Sequence, residues 1–338
     1  MKPMLPILIL AVLLLLAAGC TQSTAPSAGQ DTASGGGTTA NTPMQAADGR
    51  ILAAYWFLNP DPNGDTYSLV MSSPDTIPWT KINRLYLGFA TLKDGVLVDL
   101  PTESSADDAT QKAEMQRRIR EVVSLCREKN PNAEIFISSN FGGNDIDSEY
   151  NAAAQDPQKF ADSALAYLKE YDLDGYDMDW ESRSIDDYAP ALTSLLSACH
   201  TTFAGAGTNP HGRSYKVTHT VWPGVESPQT VAGLKDAVDQ INIMSYGTED
   251  TYDLVSYADS YAAAGFPCEK MIGGLEAERD YPENGGHDTL DSVSAKCTYV
   301  KSHNLAGLFV WRLDNDMRED NAAPTYQVTG WMNGCLAG

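Results

Sequence analysis

Positive charge is scarce in this chain: 23 Lys and Arg stand against 45 Asp and Glu, a formal net charge of −22 over 338 residues. Such a surface repels nucleic-acid phosphates and anionic lipid headgroups, which excludes binding through a basic patch and points to a neutral or weakly cationic partner. Cysteine is scarce too, and none of the six stands at zinc-site spacing. After Cys20, five remain: Cys126, Cys199, Cys268, Cys297 and Cys335. An odd number outside the cytoplasm leaves at least one thiol unpaired. Cys126, Cys199 and Cys297 fall on apolar helical stripes and are expected to be buried small hydrophobes. The apolar run Leu5–Leu16 is too short for a comfortable membrane span. What is present in quantity is apolar side chain, 43% of residues, which excludes disorder throughout and provides the core of one large domain or two ordinary ones.

The N-terminus has the layout of a targeting segment: Lys2, then Leu5–Leu16, then Ala17-Ala18-Gly19-Cys20. Ala18-Gly19-Cys20 resembles the lipobox of prokaryotic lipoproteins, with Ala17 where that motif prefers Leu. The resemblance implies removal of residues 1–19 and lipidation of Cys20, which becomes the new N-terminus; simple secretion is the alternative. Residues 20–48 are rich in Ser, Thr, Gly, Ala and Pro, a composition that cannot repay the entropy of folding. They read as a flexible tether whose mean reach is about 30 Å. The folded domain is expected over 49–338, held outside the cytoplasm at the membrane through the lipid alone.

From Ile51 onward, apolar runs alternate with helical patterns. Strands are expected at Ile51–Trp56, Leu85–Phe89, Ile135–Ser138, Tyr176–Asp179, Val217–Val221, Ile241–Met244, Met271–Leu275 and Leu308–Trp311. Helical stripes lie between them: Met115, Ile119, Val122 and Cys126; Phe160, Ala164, Leu165 and Leu168; Tyr188, Leu192, Leu195, Leu196 and Cys199; Leu290, Val293, Cys297 and Val300. This α/β alternation is what a (β/α)₈ barrel requires, with a doubly wound open sheet as the competitor. In such a barrel the active site lies at the C-terminal ends of the strands. There stand Tyr55-Trp56, Phe89, Asn140, Trp222, Tyr246, Glu276 and Trp311. Aromatic faces around carboxylates are a way of holding the apolar faces of sugar rings.

The stretch Asp174-Gly175-Tyr176-Asp177-Met178-Asp179-Trp180-Glu181 sets four carboxylates in eight residues. The strand period of two places Asp177, Asp179 and Glu181 on one face, lining the barrel axis, with Tyr176, Met178 and Trp180 on the other. Three carboxylates so close cannot all ionise cheaply, so at least one keeps a proton near neutral pH, as a general acid must. Asp174 is out of phase with the other three and, with Gly175, is expected to be structural.

DGYDMDWE resembles the DxxDxDxE signature of glycoside hydrolase family 18, which contains chitinases and endo-β-N-acetylglucosaminidases on a (β/α)₈ barrel with this signature on strand four. Here too it falls on the fourth strand. Asn140-Phe141-Gly142-Gly143 is similar to the family's SxGG, Met244-Ser245-Tyr246-Gly247 to MxYD, and Trp311 to its subsite-floor tryptophan. Only about thirty residues separate strands seven and eight, room for one helix but not for the small α+β insertion of deep-cleft chitinases. The resemblance implies a retaining, substrate-assisted reaction in which the substrate's own N-acetyl group attacks the anomeric carbon. It further implies that Glu181 protonates the leaving oxygen and then activates water. Asp179 would orient the acetamido group, Asp177 would share a proton with Asp179, and Tyr246 would hydrogen-bond the acetamido oxygen. Trp311, Trp56, Phe89, Asn140, Met244 and Trp222 are the candidate substrate contacts. No cofactor and no metal is implied, and the domain is expected to act as a monomer on an N-acetylglucosamine-containing glycan.

Two positions depart from the family pattern: Gly247 stands for the acid of MxYD, and Asn140 for a serine. Alternatives remain open. The substrate could be an N-glycan or peptidoglycan rather than chitin or chito-oligosaccharides, and the chain could be a carbohydrate-binding relative without catalysis. A calcium-binding lipoprotein is the third, because Glu170, Asp172, Asp174, Gly175 and Glu181 fall at EF-hand positions one, three, five, six and twelve.

Overall fold

The computed structural model describes residues 49–59, 66–99, 108–139, 146–246, 254–279 and 286–337. Cys20, Asn140, Gly247, the targeting segment and the tether lie outside the described residues.

Among the described residues nine strands form: β1 Ile51–Phe57, β2 Arg84–Lys93, β3 Val96–Val98, β4 Glu134–Ser139, β5 Gly175–Met178, β6 Lys216–Val221, β7 Gln240–Ile243, β8 Met271–Glu276 and β9 Gly307–Trp311. Eight of them pair in parallel in the order β1-β9-β8-β7-β6-β5-β4-β2, and β1 also pairs with β2, which closes the ring. The ninth, β3, turns back antiparallel onto β2, with Thr91 opposite Val98. All eight strands expected from the sequence are present. Their apolar residues fall on both faces, as in a sheet covered by helices outside and filled by side chains inside.

Around the ring lie nine α-helices among the described residues: α1 Thr66–Met71, α2 Asp108–Lys129, α3 Ile146–Ala153, α4 Pro157–Glu170, α5 Ala189–Gly205, α6 Pro228–Gly233, α7 Leu254–Ala264, α8 Leu290–His303 and α9 Gln327–Leu336. Local chemistry sets their ends. Asp156 accepts the Lys159 N–H ahead of Pro157 in α4, and Thr289 and Ser292 form a capping box on α8, which ends at left-handed Asn304. Between β8 and β9, α8 is the one α-helix among the described residues. The stripes of α2, α4 and α5 are buried except for Leu165 and Tyr188, which are half-buried, and Leu290, the first residue of α8, is 52% exposed. Cys126 and Cys199 are free buried thiols. Cys297 corrects the reading of it as a plain small hydrophobe: it forms a disulfide with Cys335 in α9, a residue that follows it by 38 positions and that no local pattern could bring to it.

The core has two layers. The larger lies between the ring and the helices; the smaller, of Ala53, Tyr55, Tyr86, Phe136, Ile272 and Phe309, fills the ring itself. Arg84 closes the lower end of that filling, fully buried, ion-paired to Glu134 at 2.6 Å and lying 4.6 Å over the Phe136 ring. Gly175 opens β5 where a Cβ would come within 2.3 Å of Phe136. The motif's glycine is therefore required by close packing inside the barrel.

Candidate active site

The strand period holds through DGYDMDWE. Tyr176, Met178 and Trp180 enter the outer core, while Asp177 turns into the ring. There it is fully buried and accepts hydrogen bonds from five side chains contributed by four neighbouring strands. Tyr55 of β1 donates at 3.0 Å, Ser138 of β4 at 2.7 Å, Thr218 and Thr220 of β6 at 2.6 and 3.0 Å, and Asn242 of β7 at 3.2 Å. Burial and the charge of Asp177 push the Tyr55 hydroxyl well above its ordinary pKa, so it remains a donor. Asp177 is thus fixed in place from every side.

One step further along, Asp179 is nearly fully buried, and its Oδ1 has no hydrogen-bond partner. Burial, then the charges of Glu181, Asp177 and Glu226, raise its pKa well above its ordinary value, which favours the protonated form. Glu181 is half-buried at the mouth. Burial and then the charge of Glu226 raise its pKa to about 7. No protein hydrogen bond among the described residues restrains its carboxyl, which leaves it available to a ligand. Trp180 fastens the turn between these two acids: its Nε1–H donates to Asp147 at 2.7 Å, and its ring stacks on Tyr150 and Tyr188.

Tyr246 and Trp311 complete the mouth. The Tyr246 ring lies where a side chain on Gly274 would stand, 2.6 Å from that glycine's Cβ position, and meets Phe309 edge-on at 5.9 Å. Trp311, half-buried, rests on Tyr55 at 5.7 Å and Phe89 at 6.0 Å. Met244 is half-buried against the inner core. Trp222 is half-buried, continues the inward phase of Thr218 and Thr220, and carries the Arg183 guanidinium over its ring at 5.1 Å.

Two of the expected substrate contacts are corrected. Trp56 is fully buried on the outer face of β1, packed against Tyr67 and Trp79 beneath the helices. Its neighbour Tyr55 is the residue that points inward. Phe89 is likewise fully buried, and supports Trp311 from below rather than offering a surface of its own. Ser138, two residues before Asn140, supplies a hydroxyl to Asp177.

Asp174 stands apart from the site. Its Oδ2 accepts the Ile135 N–H and Arg127, and its Oδ1 accepts Asn209 and Arg213, at 2.6 to 2.8 Å. These four donors contradict the calcium-loop reading, because they occupy the lone pairs a cation would need. Glu170 pairs with Arg120, and Asp172 with Arg127 and His211. Among the described residues no group of three His, Cys, Asp or Glu side chains converges as a metal site.

Sequence reasoning passed over the cage around Asp177 and the buried pair His219–Glu226. The signal was present in Lys216-Val217-Thr218-His219-Thr220-Val221, where three successive polar residues stand between Val217 and Val221. Glu276 was noticed only as a strand-end acid. It is 1% exposed, Oε1 accepts the Glu278 N–H, Oε2 has no partner, and burial raises its pKa to about 9. It shares the inward phase of Ile272 and Gly274 and lies in register with Trp311.

Residues 53–270 match the family model described as "Glycosyl hydrolases family 18". An endochitinase of Brugia malayi is 23% identical over 288 residues, covering 75% of this chain and 55% of the endochitinase. The chain thus spans about half the length of that curated relative. A class V chitinase from Nicotiana tobaccum, a mutant in complex with NAG4, superposes with a TM-score of 0.67 at 18% identity, over 85% of this chain and 99% of that one. Human YKL-39, a pseudo-chitinase with retained chitooligosaccharide binding, superposes with a TM-score of 0.66 at 15% identity, over 86% and 100%.

Proposed function

The chain belongs to glycosyl hydrolase family 18, and from that premise we propose that it is a catalytically competent hydrolase cleaving β-1,4 bonds after N-acetylglucosamine in chitin or chito-oligosaccharides. The observation that carries this reading is the pairing of a buried Asp179, its pKa raised and its Oδ1 unpartnered among the described residues, with a Glu181 whose pKa is raised to about 7 and whose carboxyl no described residue restrains. In this reading Glu181 gives its proton to the leaving glycosidic oxygen and then takes one from the attacking water. The acetamido group of the sugar ahead of the scissile bond supplies the nucleophile, so the protein needs no second ionised carboxylate there. Asp179 receives the acetamido N–H at Oδ1 and aligns the carbonyl oxygen on the anomeric carbon, where proximity alone is worth several kcal/mol, roughly 7 to 11 at best. Asp177, immobilised by its five donors, anchors Asp179 through the strand; Tyr246 meets the acetamido oxygen; Trp311 forms the platform under the sugar ring.

Catalysis is favoured over binding alone because Glu181 and Asp179 are both present and the pKa of Glu181 is raised to about 7, as a proton donor needs. Lipidated Cys20 and the tether would hold the barrel outside the cytoplasmic membrane, a placement supported by the composition of residues 1–48. Hydrolysis of a chromogenic chito-oligosaccharide, beside the matching cello-oligosaccharide, tests the substrate. Cleavage of the first alone is expected, because only it carries the acetamido nucleophile. Comparable cleavage of both would remove substrate assistance.

A further inference from the structure

Behind the row of acids lies a second buried pair that the chemistry above does not use. His219 on β6 and Glu226 in the turn after it have fully buried side chains that meet, Nε2 to Oε2, at 3.0 Å. The other ring nitrogen, Nδ1, is 2.8 Å from the carbonyl oxygen of Met178. A carbonyl can only accept, so Nδ1 carries a hydrogen. One further proton must then lie between Nε2 and the Glu226 carboxylate. Glu226 completes its contacts at Oε1, which accepts the Trp222 N–H at 3.0 Å.

The pair has a direction. His219 stands in register with Met178, level with the residue that precedes Asp179. Glu226 is held by Trp222 beyond the end of β6, the level at which Asp179 and Glu181 emerge. The carboxylate end of the pair is thus level with the two acids, and its charge adds to burial in raising the pKa of Glu181, and to burial and the charges of Glu181 and Asp177 in raising that of Asp179. Burial opposes an imidazolium at His219, but the charge and hydrogen bond of Glu226, the Met178 carbonyl and Asp177 outweigh it and raise its pKa. Tyr261 of α7 is kept as a neutral phenol by burial and by Glu226, with Tyr257 and Asp186 adding to the same effect. Arg183 lies over the Trp222 ring.

We propose that the His219–Glu226 pair is a proton-holding element of this active site: His219 keeps Glu226 ionised in the dry interior, and the Glu226 carboxylate keeps the transferable proton on Glu181. A carboxylate is costly to hold in such an interior without a hydrogen-bonding, charged partner. Both are positioning residues that act through Glu181, and the inference rests on the reading of Glu181 as the general acid.

The test uses Glu226→Gln, which keeps the shape, His219→Asn and the double variant. Two readouts are taken against pH: the carboxyl ¹³C resonance of Glu181, assigned by its loss in Glu181→Gln, and kcat/KM on a chromogenic chito-oligosaccharide. In Glu226→Gln the Glu181 midpoint and the alkaline limb should move down by about one pH unit. His219→Asn should move them the same way, and the double variant no further than either single one, because each removes the same charge. A Glu181 midpoint that stays put in Glu226→Gln, with activity lowered equally at every pH, overturns the proposal and leaves the pair a packing feature. If the parent enzyme does not hydrolyse the glycan but the midpoint still moves, the substrate reading fails while this one stands. Should His219→Asn not fold, Glu226→Gln decides alone.

Discussion

Asp174→Asn keeps the shape of the signature strand and removes one negative charge from the interior. Asp174 is fully buried and offers two oxygens to four donors: the Ile135 N–H, Arg127, Asn209 and Arg213. Asparagine has one carbonyl oxygen and an amide that would face two of those donors with hydrogens of its own. Two hydrogen bonds are lost, one of them to a guanidinium, and both arginines lose their buried counter-charge. Breaking a buried pair costs about 3–5 kcal/mol. The arginine side chains here are 11% and 22% exposed and recover some hydration, which places the loss near the low end, ~3 kcal/mol. For a domain of this size that corresponds to a fall in Tm of roughly 5 °C. Guanidinium unfolding followed by tryptophan fluorescence reads the change as a lower midpoint at unchanged slope. Activity per folded molecule should be unaltered, because Asp174 points away from Asp177. A loss below about 1 kcal/mol, the level of an exposed pair, or a fall in kcat without a fall in midpoint, would refute this reasoning.

Three further outcomes are expected. Because the general acid must be protonated and burial with Glu226 sets Glu181 at about 7, kcat/KM should fall tenfold per unit as pH rises beyond that value; a profile flat to pH 9 contradicts it. Glu276 keeps its proton to about pH 9 in the fold but only to its ordinary value of ~4.3 unfolded, so the folded state binds more protons between those limits and stability falls as pH rises through them. Glu276→Gln should remove that slope, gaining on the parent by up to ~3 kcal/mol at pH 7 relative to pH 4; equal pH dependence of unfolding in both proteins would show that Glu276 ionises freely. Cys20→Ser should move the protein from the membrane fraction to the soluble extracytoplasmic fraction without changing specific activity, and retention on the membrane would show that something other than lipid holds it.

The ring of eight strands was legible because each strand is a short apolar run bounded by helical periodicity, and the acid row because its period of two survives beyond the end of β5. Phase in the other strands was harder to read. β1 is apolar on both faces, with Leu52, Ala54 and Trp56 outside and Ala53 and Tyr55 inside, so no alternation of polarity told Tyr55 from Trp56. The cage around Asp177 draws one or two residues from each of four strands up to 122 positions away, and contacts of that kind are made by ring closure, not by local pattern. The Cys297–Cys335 bridge was hidden because Cys297 looked like core on α8 and its partner stands 38 positions away, and the His219–Glu226 pair because it joins a strand residue to an acid in the turn beyond it.

The central claim is that Glu181 transfers the proton that breaks the glycosidic bond. Glu181→Gln, which keeps the outline of the side chain and cannot donate that proton, tests it directly when kcat and oligosaccharide Kd are measured on the same preparation. A fall in kcat of about two to four orders of magnitude with Kd nearly unchanged is the expected result. Turnover at the level of the parent enzyme would contradict it and take Glu181 out of the chemistry.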